Sequence, residues 1–238
     1  MPKNSPDRAG GGLRSDGRPS AIRIPAGLVV LVGPPASGKT SFVRALVERR
    51  QIEAEAVVSS DEIRAELFGA PGRPEPTDSG AADAADGVNA ADAVDAADGA
   101  DAADAADARI FEERDRRIVA RLAAGRSVIA ESTNVTPQAR ARLVALARRF
   151  DAPVTALRFA PEVADLLQQY AERGRTDLTT ADVRAYAAMM SRDAGADRLR
   201  SEGAAAVHDV PGRRQSVTPA EAAARFVFGR VLPGYHLT

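Results

Sequence analysis

Residues 28–42 read LVVLVGPPASGKTSF. Leu28–Val32 is a run of five apolar residues, β-branched at Val29, Val30 and Val32, of the length and kind that makes a buried strand. It leads into Gly33-Pro34-Pro35-Ala36-Ser37-Gly38-Lys39-Thr40, which fits the spacing G-x-x-x-x-G-K-[ST], and an amphipathic helical run over 40–50 follows. In that order a strand, a glycine-rich turn and a helix make a phosphate cradle. Gly33 and Gly38 let the backbone wrap so that successive N–H groups point at phosphate oxygens, above the positive end of the helix. The loop from Gly33 to Thr40 is therefore expected to hold ATP, with Lys39 reaching the β- and γ-phosphates and the Thr40 hydroxyl holding Mg²⁺. A glycine-rich turn with no ligand is the alternative, and a strand and a helix in the required places weigh against it.

Outward from the loop, short β-branched runs alternate with amphipathic helical ones. Strands are expected over 56–59, 127–130, 154–159 and 205–210, with helix starts at Thr136-Pro137 and at the capping box Thr218-Pro219-Ala220-Glu221. Further helices are expected over 162–173 and, after Thr179 and Thr180, over 181–192. This rhythm predicts an α/β fold in which helices flank a parallel sheet, here a P-loop NTPase or kinase fold.

The ends of the expected strands carry the remaining chemistry. After the second strand, Ser59-Ser60-Asp61-Glu62-Ile63-Arg64 has a capping pattern that places Asp61 in the first turn of a helix at the carboxyl edge of the sheet, with Arg64 on the same face. A carboxylate there can take the proton of an acceptor hydroxyl and the guanidinium can hold an acceptor phosphate. Taken alone, Asp61 reads rather as an acid favoured at a helix start and Arg64 as a solvated charge, and the phosphate loop beside them tilts the pair towards function. Glu131, ending the third strand, either handles the water shell of the metal or orients the loop backbone, and Asn134 either contacts the acceptor or fixes the turn. Arginine-rich Glu172-Arg173-Gly174-Arg175-Thr176-Asp177, between two helices, either closes as a small lid over the triphosphate or is a solvated helix end. His208 and His236 read as structural.

Composition sets the bounds. A chain of 238 residues without Cys and with two His excludes a disulfide scaffold, a Cys-ligated metal site and a cysteine nucleophile. No segment approaches about 18 uninterrupted apolar residues and the first 20 lack a signal-peptide core, so a cytoplasmic protein without a membrane partner is expected. The formal charge of −1 hides two unlike parts: residues 76–108 hold nine Asp and no basic residue, leaving +8 on the rest. From Asp83 to Asp107 the acids recur every third residue among alanines, a period that walks them around a helix and leaves no apolar stripe. A solvated, partly helical or disordered low-complexity insert is expected, with an acidic calcium array as the alternative. Residues 1–22 read as a disordered tail, and 23–238 as a single kinase domain interrupted by the insert.

The stretches LVVLVGPPASGKTSF, VVSSDEIRAELFG, SVIAESTNV and GRTD, in this order, resemble the bacterial and phage polynucleotide 5′-kinase family of P-loop phosphotransferases. The resemblance implies that Lys39 and Thr40 bind ATP and magnesium, that Asp61 is the general base, that Arg64 contacts the acceptor phosphate and that Arg175 is the lid arginine. The acceptor it implies is the 5′-OH of RNA or DNA. Where that family often has Asp-x-Thr-Asn this chain has Glu131-Ser132-Thr133-Asn134, and where a second lid arginine often stands it has Leu178. A kinase of a sugar, nucleoside or antibiotic and a non-kinase ATPase switch are the alternatives.

Overall fold

The computed structural model describes residues 21–69, 92–172, 174 and 178–232, with the backbone course alone for 92–104. His236 and most of the expected lid turn, Arg175 included, lie outside the described residues, as does most of the expected tail.

Among the described residues seven strands, β1 (Ile22–Ile24), β2 (Leu28–Val32), β3 (Val57–Ser59), β4 (Val128–Glu131), β5 (Val154–Arg158), β6 (Ala206–Asp209) and β7 (Phe226–Phe228), are interspersed with eight α-helices. These are α1 (Lys39–Glu48), α2 (Ser60–Phe68), α3 (Asp92–Ala123), α4 (Pro137–Arg148), α5 (Val163–Glu172), α6 (Thr180–Asp193), α7 (Ala196–Glu202) and α8 (Pro219–Ala223). The main sheet is all parallel in the order β3-β4-β2-β5-β6, and one register row, Val58–Ala130–Val30–Ala156–Val207, crosses all five strands. From the central β2 the chain goes outward to β3, whereas from the neighbouring β5 it goes the other way, to β6. The carboxyl ends of β2 and β5 therefore flank a topological switch point, where open α/β sheets bind ligands.

Both faces of the sheet are covered, as the continuous apolar run of β2 requires. Leu28, Val30 and Val32 face one core with Ile118 and Leu122 of α3, Leu143 of α4 and Met190 of α6. Val29 and Leu31 face the other, with Phe42 and Leu46 of α1, Ala222 and Ala223 of α8, and Phe226. A smaller cluster joins Leu166 and Tyr170 of α5 to Val183 of α6 and to Ala36, so α5 and α6 pack on the phosphate loop itself. Among the described residues no helix is long and apolar enough to cross a membrane.

Two features add detail to the expected pattern. Ile22–Ile24 pairs in parallel with Phe226–Phe228, so a strand begins at the last residue of the stretch read as tail. The described end of the Ala/Asp segment, 92–108, is the first half of α3 rather than a separate piece. Ile110, Arg114, Ile118 and Leu122, spaced by four, are buried along α3 and anchor it, and alanine propagates the helix backward through the repeat.

Candidate active site

The loop after β2 folds as its glycines dictate. A Cβ on Gly33 would lie 2.7 Å from the carbonyl oxygen of Phe159, so only glycine lets the loop leave β2 alongside the end of β5. Gly38 has φ 96° and Ala36 φ 62°, and these left-handed turns curl the backbone inward. α1 then starts at Lys39 with no side-chain cap at Gly38 and no acid in its first turn, so no carboxylate competes for its N–H groups. The Lys39 ammonium is buried and donates to the carbonyls of Gly33 (2.8 Å) and Pro34 (2.7 Å) and to Ser37 Oγ (3.3 Å). It braces the loop from within.

The next strand in the sheet, β4, ends at Glu131, with the Thr40 hydroxyl close by. Beyond it β3 ends at Ser59, paired in register with Glu131, and the Ser59 side chain accepts from the Glu62 N–H to cap α2, leaving Asp61 exposed in the first turn. Burial pushes the Glu131 carboxyl above its ordinary range against the pull of Thr40 and Lys39, and the nearby Glu62 and Asp61 add to the rise. Oxygen donors of this kind, a hydroxyl and a buried carboxylate with more carboxylates near, suit a hard cation such as Mg²⁺. Among the described residues no group of three or more His, Cys, Asp or Glu is placed to hold a metal ion.

Glu131→Gln supplies a test. An acid whose folded-state value lies above its unfolded one stabilises the fold most at low pH, and loses that contribution as pH rises towards the folded-state value. The glutamine protein is therefore expected to melt higher than the parent at neutral pH, the gap closing as pH falls below the carboxylate range, while nucleotide-dependent turnover drops by about 10–100-fold. Melting curves across pH check the first outcome and steady-state rates the second.

On the other side of the loop lies a cleft of about 690 Å³, floored by Ser37, Gly38 and Ser41 and walled by Phe159, α5 and residues 209–215. Arg213 meets Glu172 at 2.5 Å and Arg214 pairs with Glu162, so two ion pairs tie α5 to the segment after β6 across this cleft. The Tyr170 hydroxyl donates to the Leu178 carbonyl and accepts from its N–H, clasping the end of α5 to the start of α6. His208 is half-buried in β6 with its ring edge against Phe226.

Among the residues that support the site, the sequence marks Asn134 but neither Arg140 nor Glu202. Asn134 is buried, with φ 46°, and spends its amide on the carbonyls of Leu31 (2.8 Å) and Ala130 (3.4 Å), so it fixes the turn after β4. Gly33 N–H donates to the Thr133 carbonyl, joining that turn to the phosphate loop. Beneath it Arg140, 3% exposed, donates to the carbonyls of Asn134, Val135 and Asp193 and grips both oxygens of Glu202. Arg64 does not stand free beside Asp61: its Nη2 pairs with Asp107 of α3 at 2.5 Å. Ser60 Oγ is buried at the start of α2 without a hydrogen-bond partner among the described residues.

A family model described as an AAA domain matches residues 28–194. No curated protein matches the sequence. Among solved structures, a chain of the Pnkp1/Rnl/Hen1 RNA repair complex is 16% identical with a TM-score of 0.50, over 74% of this chain and 46% of that one. A kinase from Chloroflexus aurantiacus is 15% identical (TM-score 0.47, 84% and 92% covered), and shikimate kinase from Acinetobacter baumannii in complex with shikimate is 16% identical (TM-score 0.46, 84% and 90% covered). At this identity the first of these likenesses shows a shared fold alone, and this chain spans under half of that neighbour's length.

Proposed function

We propose, since the chain belongs to the AAA domain family, that it is a Mg²⁺- and ATP-dependent kinase acting on the 5′-OH of RNA or DNA. One observation carries the reading: the order of groups along the carboxyl edge of the sheet. The cleft beside β5 and β6 comes first, then Lys39 and Thr40 after β2, then Glu131 on β4, then Asp61 after β3. A nucleotide seated in the cleft points its phosphates across the loop at Asp61, and a hydroxyl on the far side meets them in line.

In this arrangement Asp61 takes the hydroxyl proton as the oxygen bonds to the γ-phosphorus and the bond to the β,γ-bridging oxygen breaks, releasing ADP. Lys39 and the loop N–H groups hold the charge that gathers on the phosphoryl oxygens, with Arg175 as the lid cation. Thr40 and Glu131 would hold Mg²⁺, which when bound neutralises phosphate charge. Arg64, one turn after Asp61, would grip the phosphate that follows a 5′-OH nucleoside. The polynucleotide acceptor rests on the resemblance of VVSSDEIRAELFG and SVIAESTNV to that kinase family. A small-molecule acceptor is the second reading, favoured by the pairing of Arg64 with Asp107, which leaves less cationic surface for a polyanion.

A panel of 5′-OH oligonucleotides, nucleosides, nucleoside 3′-phosphates and sugars separates them. The oligonucleotides and nucleoside 3′-phosphates are expected to take label better than bare nucleosides, with salt weakening the longer strands most. Asp61→Asn is expected to cut turnover on the chosen acceptor by about 10²–10⁴-fold with ATP affinity near the parent value. Preference for a sugar or nucleoside over every strand would instead establish the second reading.

A further inference from the structure

The buried stripe of α3 runs Ile110, Arg114, Ile118, Leu122, and Asp107 lies three residues before Ile110 and seven before Arg114, on the same side of the helix. That side packs on α2, where Asp107 meets Arg64 while Arg117 pairs with Glu66 and Arg109 lies over the Phe68 ring. The last aspartate of the three-residue repeat is thus delivered to the guanidinium one turn from Asp61. Among the described residues it is the one ion-pair partner of Arg64, and both side chains are about half exposed, at 51% and 49%.

A carboxylate and a phosphate present the same pair of oxygens to the same planar donors and compete for them. We infer that Asp107 is a specificity-determining residue: it occupies Arg64 in place of an acceptor phosphate, so an acceptor bearing a phosphate beside its reactive hydroxyl must displace it, whereas a neutral acceptor need not. The proposal rests on the kinase reading above and deepens it. Exposure makes the exchange feasible, because a solvated ion pair is weak enough for a doubly charged phosphate to replace it. The residue narrows the advantage of phosphorylated acceptors without touching the reacting atoms.

Acceptor kinetics with nucleoside 3′-phosphate and with the bare nucleoside, in the full chain, test this. Asp107→Asn is expected to lower the KM for the nucleoside 3′-phosphate by about two- to fivefold, with the KM values for the bare nucleoside and for ATP unchanged. Asp107→Glu, which keeps the charge, restores the parent ratio. In an Arg64→Ala background Asp107→Asn has no effect on the ratio, as a double-mutant cycle requires if the two act as a pair. An unchanged or raised KM for the nucleoside 3′-phosphate in Asp107→Asn overturns the inference while leaving the kinase reading intact, as does an effect that persists without Arg64. If the parent protein labels neither acceptor, the 5′-hydroxyl kinase reading falls and the inference falls with it.

Discussion

Lys39→Ala is expected to lower phosphoryl transfer by about 10³-fold or more, the loss seen when a single donor or cation is withdrawn from the charge that develops on a transferred group. In the protein at rest the ammonium is held by the Gly33 and Pro34 carbonyls, 2.8 and 2.7 Å away. Those bonds preset the lysine under the curl of the loop, where a triphosphate can take it over. Alanine removes the cation but leaves Gly33, Gly38 and the start of α1 in place, so the fold should hold. A melting shift of no more than about 4 °C is expected, the size of a 1 kcal/mol change in a chain of this length. Steady-state kinetics and a melting curve on the same preparation check both halves, and a folded Lys39→Ala protein with parental turnover would show that the chemistry lies elsewhere.

The largest loss of stability is expected at a residue that no motif marks. Arg140 is buried and makes five hydrogen bonds, two to Glu202 and three to carbonyls at the turn after β4 and the end of α6. Burial pushes the Glu202 carboxyl up, but Arg140 and Arg198 together hold it below its ordinary value. Removing one partner of such a pair strands the other and orphans the carbonyls, so Arg140→Ala should cost about 3–5 kcal/mol. The melting temperature should fall by roughly 6–20 °C. Arg140→Met combined with Glu202→Leu should recover a substantial part, because no charge is then left buried. A single mutant that melts like the parent would show that the network contributes little. Because the Thr133 carbonyl accepts from Gly33, the single mutant should also bind nucleotide more weakly than its loss of folded population explains.

What could be read from the sequence was what is local in it. The phosphate loop and the capped helix after β3 are each written within a dozen residues, and the continuous apolar run of β2 announced a strand covered on both faces. Arg140 and Glu202 meet across 62 residues and Arg64 and Asp107 across 43, and nothing nearby distinguishes Arg140 from Arg142, which is exposed. The pair β1 and β7 is three residues long on each side, too short to show a period of two. The helix over the described end of the Ala/Asp repeat is not written in the repeat itself. Its own pattern has no apolar stripe, but its last turns inherit the register of the anchored helix that follows.

In the proposed reaction the γ-phosphate leaves ATP for a hydroxyl and not for water. The direct measurement follows ATP labelled at the γ-phosphate, with Mg²⁺ and a 5′-OH oligonucleotide in excess, and divides the label between the oligonucleotide 5′ end and free phosphate. Most of the label is expected on the oligonucleotide, its transfer lost in Lys39→Ala and Asp61→Asn alike. Label recovered entirely as free phosphate, whether or not any hydroxyl compound is present, would contradict it.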